Sequence, residues 1–111
     1  MADVEQIDNK YLASDWRSLE MHRLIATKLE ADPSLVERAR SNISRWKNQR
    51  GERPAYLEWE EILSSGMDRI LHVLTSEDQA SARLRSSTPF TGIFSDAERV
   101  QLFNRWADRQ D

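Results

Sequence analysis

Apolar side chains recur every three or four residues along almost the whole of this 111-residue chain, and this spacing constrains the fold more than any other feature. Such a period places the apolar residues on one face of an α-helix, whereas a half-buried strand requires strict alternation. No alternating run bounded by turn residues occurs in the sequence. The pattern therefore predicts an all-α protein in which each helix buries one apolar face.

Proline and glycine divide this pattern into helices. Asp32 followed by Pro33 indicates a helix start, because proline suits the first helical position and the carboxylate can accept from backbone N–H groups that lack a partner. Pro54 indicates a second start, and Gly51 and Gly66 indicate helix ends. With short connections throughout, these signals predict a compact single-domain bundle of about five or six short helices.

Three residue pairs have the form of a capping box, in which the N-cap and N3 residues each bind the other's backbone N–H. The pairs are Asp3 with Gln6, Ser76 with Gln79, and Ser95 with Glu98. We therefore expect a helix to begin at each pair. In the last of these helices, Val100, Phe103 and Trp106 share one face and are predicted to be buried.

The N-terminal segment, residues 1–13, admits two interpretations. Its apolar positions either continue into the stripe that follows as one helix, or a new helix begins at Ser14 or Asp15. Chain ends fray unless they are tied down. Within one domain that spans residues 1–111, we treat residues 1–13 as a frayed or separately packed helix.

Composition excludes several classes of protein. The chain has no cysteine, which excludes disulfide frameworks, thiolate zinc sites and thiol catalysis. No stretch approaches the roughly 18 apolar residues of a membrane span, and the acidic start MADVEQIDNK lacks the apolar region of a signal peptide. We expect a cytoplasmic protein with no membrane contact.

Candidates for catalysis are few. Asp68 lies four residues before His72 and shares its helical face, which makes half of a metal site, but neither His22 nor any other residue supplies a second pair at ligand spacing. The glutamates within residues 58–61 do not face one another on a helix. The sequence contains no phosphate loop or nucleophile elbow. It therefore predicts a protein that is not an enzyme and carries no cofactor or metal.

Charge is distributed in two blocks. Residues 31–53 carry 6 basic and 3 acidic side chains, whereas residues 54–78 carry 1 basic and 6 acidic side chains. A short connection would lay the two helices antiparallel, so that their charges could pair. Three uses of the basic block stay open: pairing within this hairpin, binding of an acidic protein surface, and contact with nucleic acid.

The basic block lies on a predicted helix, residues 35–50, whose charges border its apolar face. On a helical wheel, Arg38 and Arg45 lie on one flank of that face, and Arg40 and Lys47 lie on the other. A helix that recognises DNA usually directs its cations away from the core. Here their stems could cover apolar surface while their charged ends reach acidic neighbours.

The tryptophans fall one to a predicted helix, each in phase with the apolar stripe. They are Trp16, Trp46, Trp59 and Trp106. Most are interpreted as core anchors. Tryptophan and arginine are also enriched at binding hot spots, and Trp46 is flanked by Arg45 and followed by Arg50. We therefore predict an interface at these three residues.

The run LRSSTPFTGIFSDAER, residues 84–99, combines hydroxyl groups with apolar side chains between two helices. Thr88 and Pro89 favour an extended entry, and Gly92 permits a positive φ. Two interpretations follow. In the first, Phe90 and its apolar neighbours clamp the last helix to the bundle. In the second, an exposed loop contacts a partner through a set of polar residues, namely Arg85, Ser86, Ser87 and Arg99.

The same run carries a resemblance to a group of small bacterial helical proteins. The similar segments are HRLIATKLEADPSLVERARSNISRW, YLEWEEIL, RILHVLTSED and LRSSTPFTGIFSDAER, over roughly residues 22 to 106. The most specific part, of the type LRxSSPFxGxxSxxER, extends from Arg85 to Arg99. Members resemble the antitoxin halves of toxin–antitoxin modules, some encoded beside nucleotidyltransferase-type toxins and some fused to a helix-turn-helix. This chain has no helix-turn-helix before residue 22.

Together, the residues and the resemblance predict a protein-binding module, the antitoxin of a bacterial toxin–antitoxin module that neutralises its toxin by direct binding. The predicted partner-binding residues are Arg45, Trp46, Arg50, Arg85, Ser86, Ser87, Phe90 and Arg99. A DNA-binding regulator that uses the basic helix 35–50 is the alternative, and a small helical enzyme is the third. Homodimerisation also stays open.

Overall fold

The computed structural model describes the backbone of residues 2–110 and the side chains of residues 16–105. The helices are α1 (Ala2–Ala31), α2 (Val36–Arg50), α3 (Pro54–Ser64), α4 (Met67–Thr75), α5 (Gln79–Arg85) and α6 (Asp96–Gln110). With no strand among residues 2–110, the predicted all-α bundle is confirmed. Within the same part of the chain, no helix has the length and apolar content that crossing a membrane requires.

The first helix is continuous. Its backbone runs without a break through Ser14 and Asp15, so the interpretation with a single helix is correct. The Asp3–Gln6 capping box and the packing of residues 1–13 lie outside the side chains that the structure describes, and they stay predictions.

The helix starts and ends predicted from proline and glycine are confirmed. Asp32 Oδ1 accepts from the backbone N–H of Ser34 at 3.2 Å, and a single 3-10 turn at Pro33–Leu35 leads directly into α2. Gly51 ends α2 with a φ of 81°, in a region that favours glycine. Pro54 is the first residue of α3.

The predicted capping box at Ser76 is wrong. The N-cap of α5 is Asp78, whose Oδ1 accepts from the backbone N–H of Ser81 at 2.7 Å. Ser76 instead ends α4, where its N–H donates to the carbonyl of His72, and its hydroxyl donates to Asp78. A charged carboxylate accepts backbone N–H groups more strongly than a hydroxyl does, which places the helix start two residues later.

The capping box at the start of α6 is confirmed. The N–H of Ser95 donates to Glu98 Oε1 at 2.8 Å, and the N–H of Glu98 donates to Ser95 Oγ at 3.2 Å. The buried face predicted for this helix is wrong, however. Val100 is 57% exposed and Phe103 is 61% exposed. The third member of that face, Trp106, lies outside the described side chains.

Contacts with α1 explain the orientation of α6. Glu98 Oε2 lies 2.8 Å from Lys28 Nζ, and Arg105 Nη1 lies 3.1 Å from Glu20 Oε1. Between these two ion pairs, Leu102 is buried with 6% exposure. Positions i, i+4 and i+7 form one stripe on a helix, so two polar contacts and one leucine turn the helix away from the face that hydrophobicity alone predicts.

A single hydrophobic cluster joins α1, α2, α3, α4 and the connection between α5 and α6. Its buried members are Ile25, Ala26, Leu29, Val36, Ala39, Ile43, Tyr56, Trp59, Ile62, Leu63, Ile70, Val73, Leu74 and Phe90. Trp59, with 1% exposure, donates from Nε1 to the carbonyl of Leu84 at 3.0 Å. The prediction of tryptophan core anchors is therefore confirmed for Trp59, whereas Trp16 and Trp46 are half-buried.

Arg85 contradicts the expectation that it is exposed. Its side chain is 4% exposed, and Nη1 donates to the carbonyls of Val73 at 2.8 Å and Ser76 at 2.7 Å. These carbonyls belong to the end of α4, where unpaired acceptors and the negative end of the helix dipole favour a cation. The hydrogen bonds to α4 thus hold the side chain of Arg85 inside the protein, and it does not face the solvent.

Candidate functional site

The connection between α5 and α6, residues 86–95, is called the motif loop below. Its central side chain, Phe90, is 2% exposed and packs edge-on against Trp59, with ring centroids 6.0 Å apart and an interplanar angle of 76°. Edge-to-face aromatic pairs add stabilisation beyond the burial of their area. Phe90 therefore fits the clamp interpretation, in which this loop is anchored in the core.

A buried amide on α2 fixes the same loop. Asn42, with 4% exposure, donates from Nδ2 to the carbonyls of Pro89 at 2.8 Å and Thr91 at 3.1 Å. Its Oδ1 in turn accepts from Arg45 Nη2 at 2.9 Å, which orients the amide. Because buried carbonyls need donors, this side chain holds the loop against α2 at Pro89 and Thr91.

A second contact from α2 lies one residue further along the motif loop. Arg38 Nη1 donates to the carbonyl of Gly92 at 3.1 Å. Gly92 has a φ of 72°, which L side chains rarely adopt. Arg38 and Arg45 were predicted to lie on one flank of the apolar face. Both help to hold the motif loop, since Arg38 binds Gly92 directly and Arg45 binds Asn42.

The other flank of α2 contacts α3. Arg40 Nη2 donates to the carbonyl of Leu63 at 2.8 Å, and Lys47 Nζ lies 3.2 Å from Glu60 Oε1 and 3.6 Å from Glu52 Oε1. The hydrogen bond that Lys47 donates to Glu60 raises the pKa of Lys47 above its usual value. Charge pairing within the hairpin is therefore confirmed for Lys47.

An apolar groove, called the motif groove below, lies between the motif loop, α1 and α6. It has a volume of about 330 Å³. Its apolar lining consists of Met21, Phe90, Ile93, Phe94, Leu102 and Phe103. Three polar residues, Thr88, Thr91 and Arg99, complete the lining together with Gly92. Ligand and peptide sites commonly combine an apolar surface with a few polar groups in this way.

Two large apolar side chains are exposed on α6, the helix that contributes to this groove. Three large hydrophobic residues are exposed among residues 16–105: Leu57 on α3, and Val100 and Phe103 on α6. Phe103 lines the groove, and Val100 follows Arg99 directly in the sequence. Clusters of exposed apolar residues mark interaction surfaces more reliably than single ones do.

The structure separates the predicted partner-binding residues of the motif. Phe90 and Arg99 both line the groove. Ser86 and Ser87 instead close the end of α5, where their hydroxyls donate to the carbonyls of Arg83 at 2.6 Å and Leu84 at 3.2 Å. Ser86 is exposed and Ser87 is half-buried.

The predicted interface on α2 is divided as well. Trp46 packs against Tyr56 with ring centroids 5.9 Å apart, and the guanidinium carbon of Arg50 lies 5.8 Å from the Trp46 ring centre. Arg45 turns toward Asn42 and the motif loop. An interface at Trp46 and Arg50 stays a prediction, and its location is the end of α2 rather than the motif groove.

Sequence analysis missed Asn42, although a signal was present. At 100° per residue, Asn42 lies about 40° from Trp46 at the edge of the apolar face, between that face and the flank of Arg38 and Arg45. A polar residue at such an edge is positioned to bind a neighbouring segment. Leu102 was missed because it lies between Val100 and Phe103, outside the most obvious apolar stripe.

The two histidines occupy different environments. His22 is fully buried, and Nδ1 donates to the carbonyl of Ser18 at 2.6 Å. Burial, followed by the charge of Arg85, lowers the pKa of His22 to about 4. His72 is exposed, with Nε2 3.4 Å from Asp78 Oδ2. Residues 16–105 contain no group of three or more histidine or carboxylate side chains placed to hold a metal.

Comparison with known proteins adds no further identification. No protein-family model matches the sequence, no curated protein matches it, and no solved structure matches it.

Proposed function

We propose that this chain is a protein-binding module and acts as the antitoxin of a bacterial toxin–antitoxin module, neutralising its toxin by direct contact through the motif groove. The observation that carries the proposal is the exposure of Val100 and Phe103 on α6, the helix that contributes Arg99, Leu102 and Phe103 to the lining of the apolar groove. Apolar side chains that could have been buried inside a bundle lie instead at its surface. Such surfaces favour association with another protein.

The way the groove is held supports the same function. Phe90 anchors the motif loop in the core, and Asn42 and Arg38 bind three of its carbonyls, those of Pro89, Thr91 and Gly92. A loop fixed in this way loses little conformational entropy when a partner binds. The groove is thus suited to rigid, stoichiometric recognition.

The choice of an antitoxin among protein-binding modules rests on the resemblance of residues 85–99 to antitoxin-like proteins. The proline, phenylalanine and glycine of that motif are the residues that shape the motif loop, and its closing arginine, Arg99, lines the groove. A nucleotidyltransferase-type toxin is the partner that the resemblance suggests. Catalysis plays no part in the proposed mechanism, because the chain would act by covering a surface of the toxin.

A DNA-binding regulator receives less support. Its basic helix would need outward-facing cations, whereas three of the cations on α2 donate to other parts of the chain and a fourth donates to Asn42 on the same helix. They are Arg38, Arg40, Arg45 and Lys47. Phosphate contacts would make binding fall steeply with salt concentration, which gives a direct means of distinguishing the two functions.

The test is a tagged pull-down from the native host, followed by growth assays of the protein that co-purifies, expressed with and without this chain. We expect one stoichiometric protein that arrests growth alone and is harmless in the presence of this chain. Retained nucleic acid that salt releases, with no protein partner, would instead favour the DNA-binding regulator. A stoichiometric partner without toxicity would retain the binding module and exclude the antitoxin.

A further inference from the structure

We infer that the motif groove receives a segment of the partner protein in which a bulky apolar side chain is accompanied by an aspartate or glutamate. The apolar side chain enters the groove, and the carboxylate binds Arg99. This inference rests on the proposed protein-binding function and specifies the chemistry of the partner.

The interior of the groove determines the apolar part of the partner segment. Its lining is dominated by aromatic and aliphatic side chains, and its volume of about 330 Å³ lies at the lower end of the range for ligand pockets, roughly 300–1,000 Å³. A space of this size accommodates one or two side chains rather than a whole helix face. We therefore expect one dominant apolar anchor, as in hot spots of protein interfaces.

The charges around the groove determine the charged part of the partner segment. Glu98 and Glu20 are already paired, with Lys28 at 2.8 Å and Arg105 at 3.1 Å. Arg99 is exposed and forms no ion pair with any residue from 16 to 105.

Two further charged residues lie close to the groove in the sequence or the fold. Arg38, which holds Gly92 at the groove wall, has no carboxylate partner in the described part of the chain either. Asp96, the other acid at the start of α6, is exposed and does not pair with Arg99. Among residues 16–105, the cations Arg99 and Arg38 at the groove thus have no acidic partner, and the complementary segment of another protein is acidic.

A second copy of this chain fits the groove less well. Outside α6, the exposed large apolar residue among residues 16–105 is Leu57, and it is followed by Glu58. This pair has the required chemistry, but the carboxylate of Glu58 is held by Arg83, with Oε2 2.9 Å from Nη2. Docking Leu57 with its acid would break that ion pair, whereas an acidic segment of another protein has no such cost.

The experiment selects ligands from a phage-displayed library of short random peptides with the full-length chain as bait. The same selection is repeated with Arg99→Glu and with a matched control, Arg69→Glu. Arg69 is an exposed arginine near the start of α4 that forms no ion pair among the described residues. Glutamate near a helix start is favourable for the helix dipole, so both variants should fold, and circular dichroism checks this.

We expect the enriched peptides to combine a large apolar residue with a nearby aspartate or glutamate. Their affinity should fall by at least about tenfold in Arg99→Glu and stay unchanged in Arg69→Glu. Selection against Arg99→Glu should replace the acidic residue by lysine or arginine. In NMR spectra, the peptides should shift the amide signals of Gly92 and Ile93.

Three outcomes would overturn the inference. Peptides that bind equally well to Arg99→Glu, or that shift signals far from the motif loop, would place recognition elsewhere and leave the protein-binding function standing. Self-association of the chain, abolished by Leu57→Asp, would make a second copy the occupant. The absence of any enriched sequence would exclude linear acidic segments, while the growth assay decides separately whether the chain is an antitoxin.

Discussion

At the scale of single residues, buried polar side chains determine how the non-helical part of this protein is held. Asn42 and Arg85 are almost fully buried, and each donates to two backbone carbonyls of another segment. A buried donor without acceptors would be costly, but these two residues also supply partners that the motif loop and the end of α4 would otherwise lack. Each of these two side chains therefore stabilises particular carbonyl groups of a neighbouring segment rather than the protein as a whole.

Replacing Asn42 by alanine tests this role. The change leaves the carbonyl of Pro89 without its donor in a buried position, and the expected loss in free energy of unfolding is about 2 kcal/mol, measured by urea denaturation. Asn48→Ala, at an exposed position of the same helix, is the matched control and should change stability by less than about 0.5 kcal/mol. Equal effects of the two substitutions would show that Asn42 does not hold the loop.

His22 makes stability depend on pH. Its pKa is about 4 in the folded protein against an ordinary value of 6.5, because burial disfavours the charged form. As pH falls, the unfolded chain therefore takes up the proton first. The stability associated with neutral His22 is complete above about pH 6.5 and is lost between pH 6.5 and about 4, with an upper limit of about 3 kcal/mol.

The measurement is the free energy of unfolding of the wild type and of His22→Leu at several pH values in this window. We expect the variant to lose less stability than the wild type between pH 6.5 and 4.5. A His22→Leu variant with the full wild-type slope would show that other groups cause the dependence.

At the scale of elements, α6 illustrates how two polar contacts, two turns apart on one face of a helix, determine its rotation. Its start is fixed by the Ser95–Glu98 capping box, and Glu98 also pairs with Lys28 of α1. Arg105 repeats this connection with Glu20 two turns later. The same carboxylate thus begins the helix and attaches it to its neighbour, and its pKa is lowered by Lys28 first and by the N–H of Ser95 second.

Removing the cap should therefore loosen the start of α6. Ser95→Ala deletes the acceptor for the N–H of Glu98, and loss of an N-cap side chain costs about 1 kcal/mol. Hydrogen exchange should accelerate in the first turn of α6 while the amides of α3 keep their protection. Ser44→Ala, an exposed serine inside α2, is the control and should not destabilise the protein. Unchanged exchange in α6 would contradict the role of Ser95.

At the scale of the whole molecule, the motif loop connects two parts with different tasks. Phe90 belongs to the core, and the carbonyls of its neighbours Pro89 and Thr91 accept from Asn42 of α2. Arg99 and Phe103 instead line the surface groove. The clamp interpretation fits Phe90, whereas of the polar residues in the interface interpretation only Arg99 lines the groove, since Arg85 is buried and Ser86 and Ser87 bond to the end of α5. The core half determines the shape that the surface half presents.

If the core residues and the residues on the exposed face of α6 have separate tasks, partner binding and stability can be changed independently. Val100→Asp should weaken partner binding by at least about tenfold and abolish neutralisation in the growth assay, because it places a charge within an apolar contact area. Its free energy of unfolding should change by less than about 0.5 kcal/mol, since the position is 57% exposed.

Leu57→Asp is the matched control for this prediction. Leu57 is 50% exposed and lies on α3, away from the residues that line the motif groove. We expect this variant to bind the partner and to neutralise as the wild type does. Loss of binding in Leu57→Asp together with normal binding in Val100→Asp would move the interface from α6 to α3.

The sequence by itself determined the fold class, because helical periodicity and the fixed φ of proline act locally. The helix starts at Pro33, Pro54 and the Ser95–Glu98 box could be predicted without knowledge of any distant contact. It also predicted which flanks of α2 carry cations. The N-cap predicted at Ser76 for α5 was wrong, because the sequence did not show that the backbone N–H of Ser81 donates to Asp78 instead.

Tertiary structure alone decided what these side chains touch. The burial of Arg85 depends on carbonyls at the end of α4, the role of Asn42 depends on a loop 47 residues later, and the exposure of Val100 depends on ion pairs with α1. Each is a relation between segments that are distant in the chain, and hydrophobic pattern carries no information about such pairing. For that reason the groove beside Arg99 became visible only once the helices were packed.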